Sequence, residues 1–278
     1  MNLDQPSNSN SALPPAPSPM TSAGSASAPV LPVPPVIRRG DSYRKPAWRS
    51  KTAWFTLIVV AIGSLAIDLV TKWLAFESIA GEPVRIVRTQ VLAQAAADPR
   101  LVGTLVPRHA PITIIPHVLD LTLVLNPGAV FGVGPGKRWF FIIFTAIALS
   151  FGMWMFTRWT RSRDTIAHAA IGLLMGGGLG NLYDRLALGC VRDFLHPLPG
   201  LKFPGGWKPL GGDGQIWPYV SNIADLLLLI GIAMLLLFLW RRDAEAKRVA
   251  EAEVAKKAAS DSAVPVAGDS HVTPSAGG

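Results

Sequence analysis

The sequence predicts an all-α membrane protein: four transmembrane helices, a small outer-side segment that contains strands, and disordered tails. Three observations carry this. Half of the 278 residues are apolar and only 16% are charged, with a mean hydropathy of +0.35. Four apolar stretches are long enough to cross a bilayer, which takes about 20 residues. Basic clusters flank those stretches rather than forming a separate basic domain, as expected for topology signals.

In chain order, residues 1–45 are rich in Pro, Ser and Ala and read as a disordered tail. They lack the apolar core a secretory signal requires. Arg38, Arg39, Arg44, Lys45, Arg49 and Lys51 follow and place the start of the first span in the cytoplasm. That span covers 53–75 and carries Asp68 and Lys72, four apart on one face. Residues 76–125 then lie outside. Within them 84–87 and 119–123 alternate like strands, and 90–102 is Ala-rich enough for a short helix. Asn126-Pro127-Gly128 is turn chemistry. The second span is 139–156, and Arg158, Arg161 and Arg163 mark a short cytoplasmic loop.

The third span, 166–186, holds Gly176 and Gly180, a small-xxx-small surface for close helix approach. Residues 195–217 are rich in Pro and Gly and read as a loop. The fourth span is 222–240, and 241–259 is charged, Ala-rich and helical before the chain becomes disordered. Trp54, Trp159 and Trp240 fall at the inner interface, and Trp73, Trp139 and Trp217 at the outer one. The organisation is thus a cytoplasmic tail (1–45), a four-span domain (46–242) and a second cytoplasmic tail (243–278), with both termini inside.

Several function classes drop out. One cysteine, Cys190, excludes an internal disulfide and a four-cysteine zinc site and reads as packing. Five scattered histidines lack ligand spacing, so no metal or cofactor is expected, and His196 reads as a loop residue. No nucleic-acid motif accompanies the net charge of +8.

Depth along the helices is more informative. At 1.5 Å per residue, Asp68, Asn181 and Asp225 lie roughly 22–24 Å from the cytoplasmic ends of three different spans, and Asp184 lies within a turn of that depth. Asn126 and Asp193 sit in the adjoining outer segments. Asn222 and Asp225 are three apart and share a face. Ionisable groups at membrane depth are costly and mark function by default. Asp68 with Lys72 and Asp184 with Arg185 read as ion pairs that lower that cost. Asp225 also reads as a helix-start cap. Asp193 and Asp225 lack a basic neighbour at helical spacing and are the candidates for chemistry. Two carboxylates at one low-dielectric site share a proton, so one acts as acid and the other as base, which suits peptide hydrolysis. A proton- or ion-coupled transporter subunit and a membrane scaffold are the alternatives. Acids at one depth, with no chain of them reaching the other side, argue against transport.

Asp68 with Thr71-Lys72, Asn126-x-Gly128-Ala129-x-Phe131, Gly176 to Arg185, Val191-x-Asp193-Phe194 and Asn222-x-Ala224-Asp225 occur in this order on four spans. Over roughly residues 53–240 this pattern resembles the lipoprotein signal peptidases, signal peptidase II. Leu69, Pro127, Val130 and Ser221 depart from the usual pattern, and the outer segment and the 195–217 loop look longer than usual. The resemblance implies a four-span aspartyl endopeptidase of the bacterial inner membrane. Its substrate would be a lipid-modified prolipoprotein, met at the membrane lipid and cut before the diacylglyceryl-cysteine. It implies Asp193 and Asp225 as the catalytic pair. Asn126, Asn181 and Asn222 would be polar site residues, and Asp184 with Arg185 a structural pair beside Asp68 and Lys72.

Overall fold

Four helices long and apolar enough to span a bilayer form the body of the protein: α1 (Lys51–Ser78), α3 (Arg138–Arg158), α4 (Thr165–Ala187) and α5 (Ile223–Ser262). A short helix α2 (Arg88–Ala97) and the strands β1 (Ile112–Ile115), β2 (Leu119–Asn126) and β3 (Val191–Pro197) complete the main elements. The computed structural model describes residues 45–128, 138–208 and 214–262. The expected tail 1–45 therefore lies almost wholly outside the described residues, as do Ala129, Val130 and Phe131 and the end of the second tail.

Each helix boundary has a local cause. The Ser50 hydroxyl accepts the Ala53 N–H at 3.3 Å and starts α1. Asp98 caps the 3-10 turn Pro99–Leu105, and Pro99 stops α2, so the helix expected over 90–102 is two pieces. At the end of α4, Leu188 and Gly189 N–H both bond the Asp184 carbonyl, and Gly189 (φ 88°) turns the chain into β3. α5 does not stop at the basic pair Arg241-Arg242. The Ala, Glu, Lys and Arg residues beyond it are strong helix formers and carry the helix to Ser262.

α4 is the central span. Over half of its most apolar window is buried, against about a fifth or less in the other three. Its glycines explain why. A Cβ on Gly172 would sit 2.9 Å from Val60 Cβ of α1, and one on Gly177 would sit 2.8 Å from the Ala224 carbonyl of α5. A Cβ on Gly176 or Gly180 would run into Ser64 or the Asp68 carboxylate of α1. The small surface at Gly176 and Gly180 thus does what its spacing predicts.

The three strands form one antiparallel sheet in the order β1-β2-β3. Only β2 was legible as a strand, from 119–123. β1 and β3 are additional, and 84–87 is extended chain without a strand partner among the described residues. The sheet packs its Leu123, Leu125 and Phe194 against Ala75 and Phe76 of α1 and Val91 of α2. Cys190 lies in the same cluster. Burial, with nearby Asp184 adding to it, pushes its thiol up to about 12, so it is an inert packing residue.

Candidate active site

Four elements converge where α1, α4 and α5 meet the sheet. The foot of α5 is built first. Asn222 and Asp225 form a reciprocal cap: Asp225 N–H donates to Asn222 Oδ1 (3.1 Å), and Asn222 N–H donates to Asp225 Oδ2 (3.3 Å). The Asp68 carboxylate of α1 accepts a further first-turn donor, the Ala224 N–H, at 2.8 Å. Asp225 is therefore both a cap and a site group, because its other oxygen, Oδ1, accepts from Asn181 Nδ2 at 2.9 Å.

Asp193 arrives on β3. Its pairing with Val124, and that of Val191 with Asn126, set the end of the sheet beside the foot of α5. Asn222 Nδ2 donates to Asp193 Oδ1 at 2.6 Å, and Asn126 Nδ2 donates to Oδ2 at 3.1 Å. Asn126 is held in turn by the Gly128 N–H on its Oδ1 (3.0 Å), the turn that the Asn-Pro-Gly sequence predicts. Asn222 Nδ2 also bonds Asn181 Oδ1 at 3.1 Å. Asn222 and Asn181 thus link the two carboxylates, each amide spending its N–H on an aspartate. Asp193 is only 2% exposed, whereas Asp225 is half-buried. Burial first, and then the charge of Asp225, raise the Asp193 carboxyl to about 7.

The cations stand one layer back. Lys72, fully buried, donates to Asp68 Oδ2 (2.8 Å) and Asn181 Oδ1 (2.9 Å) and lies 3.5 Å from Asp184 Oδ2. The Asp68–Lys72 pair forms as its spacing predicts. The Asp184–Arg185 pair does not form among the described residues. Neighbours on a helix point about 100° apart, and Asp184 turns instead to Arg192, whose Nη2 reaches Oδ1 at 2.7 Å and whose backbone N–H reaches Oδ2 at 3.1 Å. Arg185 Nη1 donates to the Asn181 carbonyl (3.2 Å), and its guanidinium lies over the Phe141 ring at 5.2 Å. Arg192 is the residue sequence reasoning missed. No local signal points to it, because β3 does not read as a strand and its partner Asp184 lies on α4.

The structure therefore brings together all nine predicted site residues: Asp68, Lys72, Asn126, Asn181, Asp184, Arg185, Asn222, Asp193 and Asp225. Two carboxylates held by neutral amides, one buried and one reachable, can share a proton and work as an acid and a base. No group of three or more metal-ligating side chains occurs among the described residues.

Fold and site define the class: a four-span membrane protein whose buried polar residues converge on two aspartates at one end of the helical bundle. A family model described as "Signal peptidase (SPase) II" matches residues 60–241, and the chain belongs to that family. The lipoprotein signal peptidase of Symbiobacterium thermophilum is 33% identical over 182 residues, covering 66% of this chain and 92% of that protein. The lipoprotein signal peptidase of Halothermothrix orenii is 39% identical over 132 residues, covering 48% of this chain and 77% of its own. A solved bacterial membrane enzyme is 28% identical with a TM-score of 0.46, covering 66% of this chain and 92% of that one.

Proposed function

We propose that this protein removes the signal peptide from lipid-modified prolipoproteins, cleaving before the diacylglyceryl-cysteine as an aspartic endopeptidase, with Asp193 and Asp225 as the catalytic pair. Membership of the signal peptidase II family supports the reaction. The observation that carries the assignment of residues is the Asp193–Asn222–Asp225 arrangement, in which one amide side chain and one cap link two carboxylates.

Asp193, with its proton affinity raised, is the acid of the pair, and Asp225 is the base. Asp225 takes a proton from water as the water oxygen bonds the scissile carbonyl carbon. Asp193 gives its proton to the carbonyl oxygen, forming a neutral tetrahedral diol. Collapse breaks the C–N bond. The amine of the new N-terminal cysteine leaves with the proton held by Asp225, while a diol proton returns to Asp193. The pair is then restored. Asn126, Asn181 and Asn222 aim the carboxylates. Asp68, Lys72, Asp184, Arg185 and Arg192 hold the helix ends and the strand that present them.

The protein sits in the bacterial inner membrane with both termini cytoplasmic, the basic clusters at 38–51, 158–163 and 241–248 supporting that orientation. The substrate reaches the site through membrane lipid, and no nucleic acid takes part. Residues 46–242 are the peptidase domain. The buried acids gather at one end of the bundle, which favours hydrolysis over the carrier alternative.

Purified protein should cleave a lipidated prolipoprotein peptide. Asp193→Asn and Asp225→Asn should each nearly abolish cleavage, and the double variant should lose little more. Near-normal turnover by either single variant at matched protein level would overturn the assignment.

A further inference from the structure

One surface outside the site is unexplained by peptide hydrolysis. Every residue from Pro111 to Val118 is exposed, and four of them are large and apolar: Ile112, Ile114, Ile115 and Val118, each 44–51% exposed. They form β1 and the turn into β2. β1 is an edge strand, and no further strand covers it among the described residues. Exposed apolar side chains are ordinary when scattered, but a contiguous patch of this kind marks a contact surface.

The patch continues into the next loop. Leu198 N–H bonds the Val118 carbonyl at 2.9 Å, and Ile216 N–H bonds the Leu201 carbonyl at 2.8 Å. Leu201 and Trp207 are exposed there, Trp207 at 63% with Phe203 against its ring. Lys202 and Lys208, next in sequence to Leu201 and Trp207, are exposed beside this apolar surface.

Its place in the fold says what covers it. Ser221, one residue before the Asn222 cap of α5, bridges to Leu195 of β3. Leu195 pairs with Leu121 of β2, which pairs with Ile112 of β1. This row of four backbones starts at the head of a membrane span. At about 4.8 Å per strand, Ile112 stands only about 14 Å from that head. The loop returns to the same place through Trp217, six residues before α5 begins. Exposed isoleucines, a tryptophan and a fringe of basic residues, carried beside a bilayer, have the composition of an interfacial anchor.

We propose that the β1–β2 tip and the Leu201–Trp207 turn insert into the bilayer surface on the site side, with Lys202 and Lys208 meeting anionic headgroups. The occupant is lipid itself, present before any substrate binds. This stands apart from the peptidase reading: it concerns how the sheet is seated, whatever reaction the site performs.

The test places a probe on the tip of the full-length protein in lipid nanodiscs. Ile114→Cys is labelled with an environment-sensitive fluorophore, while Cys190, the protein's only cysteine, is buried. Without substrate, a phospholipid-borne nitroxide should dim the probe more than aqueous iodide does. The emission should shift further to the blue in discs that contain anionic phospholipid than in purely zwitterionic ones. Val118→Cys repeats the reading in case the first variant folds poorly, and retained helical circular dichroism certifies each. Quenching by iodide alone would overturn the proposal. So would shielding that appears only on adding a lipidated substrate peptide, or only in discs that hold more than one copy.

Discussion

Replacing Asp193 by Asn should separate the energetic burden of this residue from its use. The wild-type carboxyl has an ordinary value of 3.8 and rises to about 7 in the fold. The sign follows from linkage. Below pH 3.8 the group is protonated in both the folded and unfolded chains and adds no pH dependence. Between 3.8 and about 7 the folded protein keeps a proton that the unfolded chain releases, so wild-type stability falls as pH rises. A rise of about three units at 1.36 kcal/mol each gives a loss of at most about 4 kcal/mol. Asn cannot titrate, and the variant escapes that loss. It does suffer a fixed, pH-independent cost of about 1–3 kcal/mol, because one of the donors Asn126 and Asn222 then faces an amide N–H instead of an oxygen. The variant should therefore be less stable than wild type near pH 4 and equal or more stable near pH 8, while nearly inactive. Denaturant unfolding in detergent, followed by the fluorescence of the nine tryptophans, measures the difference at each pH. Groups that do not touch Asp193 cancel in that difference. A difference that stays flat with pH, or moves the other way, would refute the raised proton affinity and with it the acid role of Asp193.

Four further outcomes are expected. Gly180→Ala drives a methyl into the Asp68 carboxylate, so it should cost about 1–3 kcal/mol and reduce cleavage, read by denaturant midpoint and turnover. Lys72→Met leaves Asp68 and Asp184 without their buried cation. It should cost about 3–5 kcal/mol, seen as a lower unfolding midpoint even at the pH of best activity. Asn126→Asp keeps the acceptor for Gly128 N–H but replaces the donor to Asp193 with a carboxylate. Added negative charge makes the pair hold its protons more tightly, so the pH–rate profile should move to higher pH, and a profile that stays or moves down would sink the idea. In right-side-out membrane vesicles a cysteine at Arg100, exposed in the outer segment, should react with an impermeant maleimide and one at Val254 should not; the reverse would invert the topology.

The fold was legible where one physical rule dominates. A bilayer demands about 20 apolar residues, and the four spans stand within a few residues of their expected bounds, with α5 continuing through the charged, Ala-rich stretch expected to be helical to 259. Close approach through Gly176 and Gly180 was legible for a similar reason, since only a missing side chain permits it. The sheet was less so. β1 is only four residues long, and β3 pairs with a strand more than 60 residues earlier in the chain, with Arg192 and Asp193 in what reads as a loop approach. Depth along the helices correctly gathered Asp68, Asn181, Asp184 and Asp225 at one level, because rise per residue is fixed. It could not say which cation serves which acid. Adjacent residues suggested Asp184 with Arg185, but side-chain direction on α4 and strand alternation on β3 select Arg192 instead. Asp225 caps the helix start with one oxygen and accepts from Asn181 with the other, so capping does not exclude a further role.

That double duty says how such a site is built. Asp193 must be buried and yet bind a proton near neutral pH, so its hydrogen bonds cannot come from cations. An ammonium or guanidinium at 2.6–3.1 Å, where the Asn222 and Asn126 amides stand, would favour the charged carboxylate and pull its proton affinity down. Amides hold the carboxylate with no net charge. The cations are still needed, because the site also buries Asp68 and Asp184, and these are the groups that Lys72 and Arg192 engage. Asn181 joins the two layers: its Oδ1 takes Lys72 and its Nδ2 reaches Asp225. Lysine thus fixes the orientation of an asparagine, and the asparagine, rather than the lysine, fixes the aspartate. Asp225 sits at the open N-terminus of α5, where the backbone offers donors and a partial positive charge without an ionised partner. The two aspartates are consequently held by unlike supports, amides on a buried strand and a helix start at a half-open face. Unlike environments are what drive two carboxylates into different protonation states.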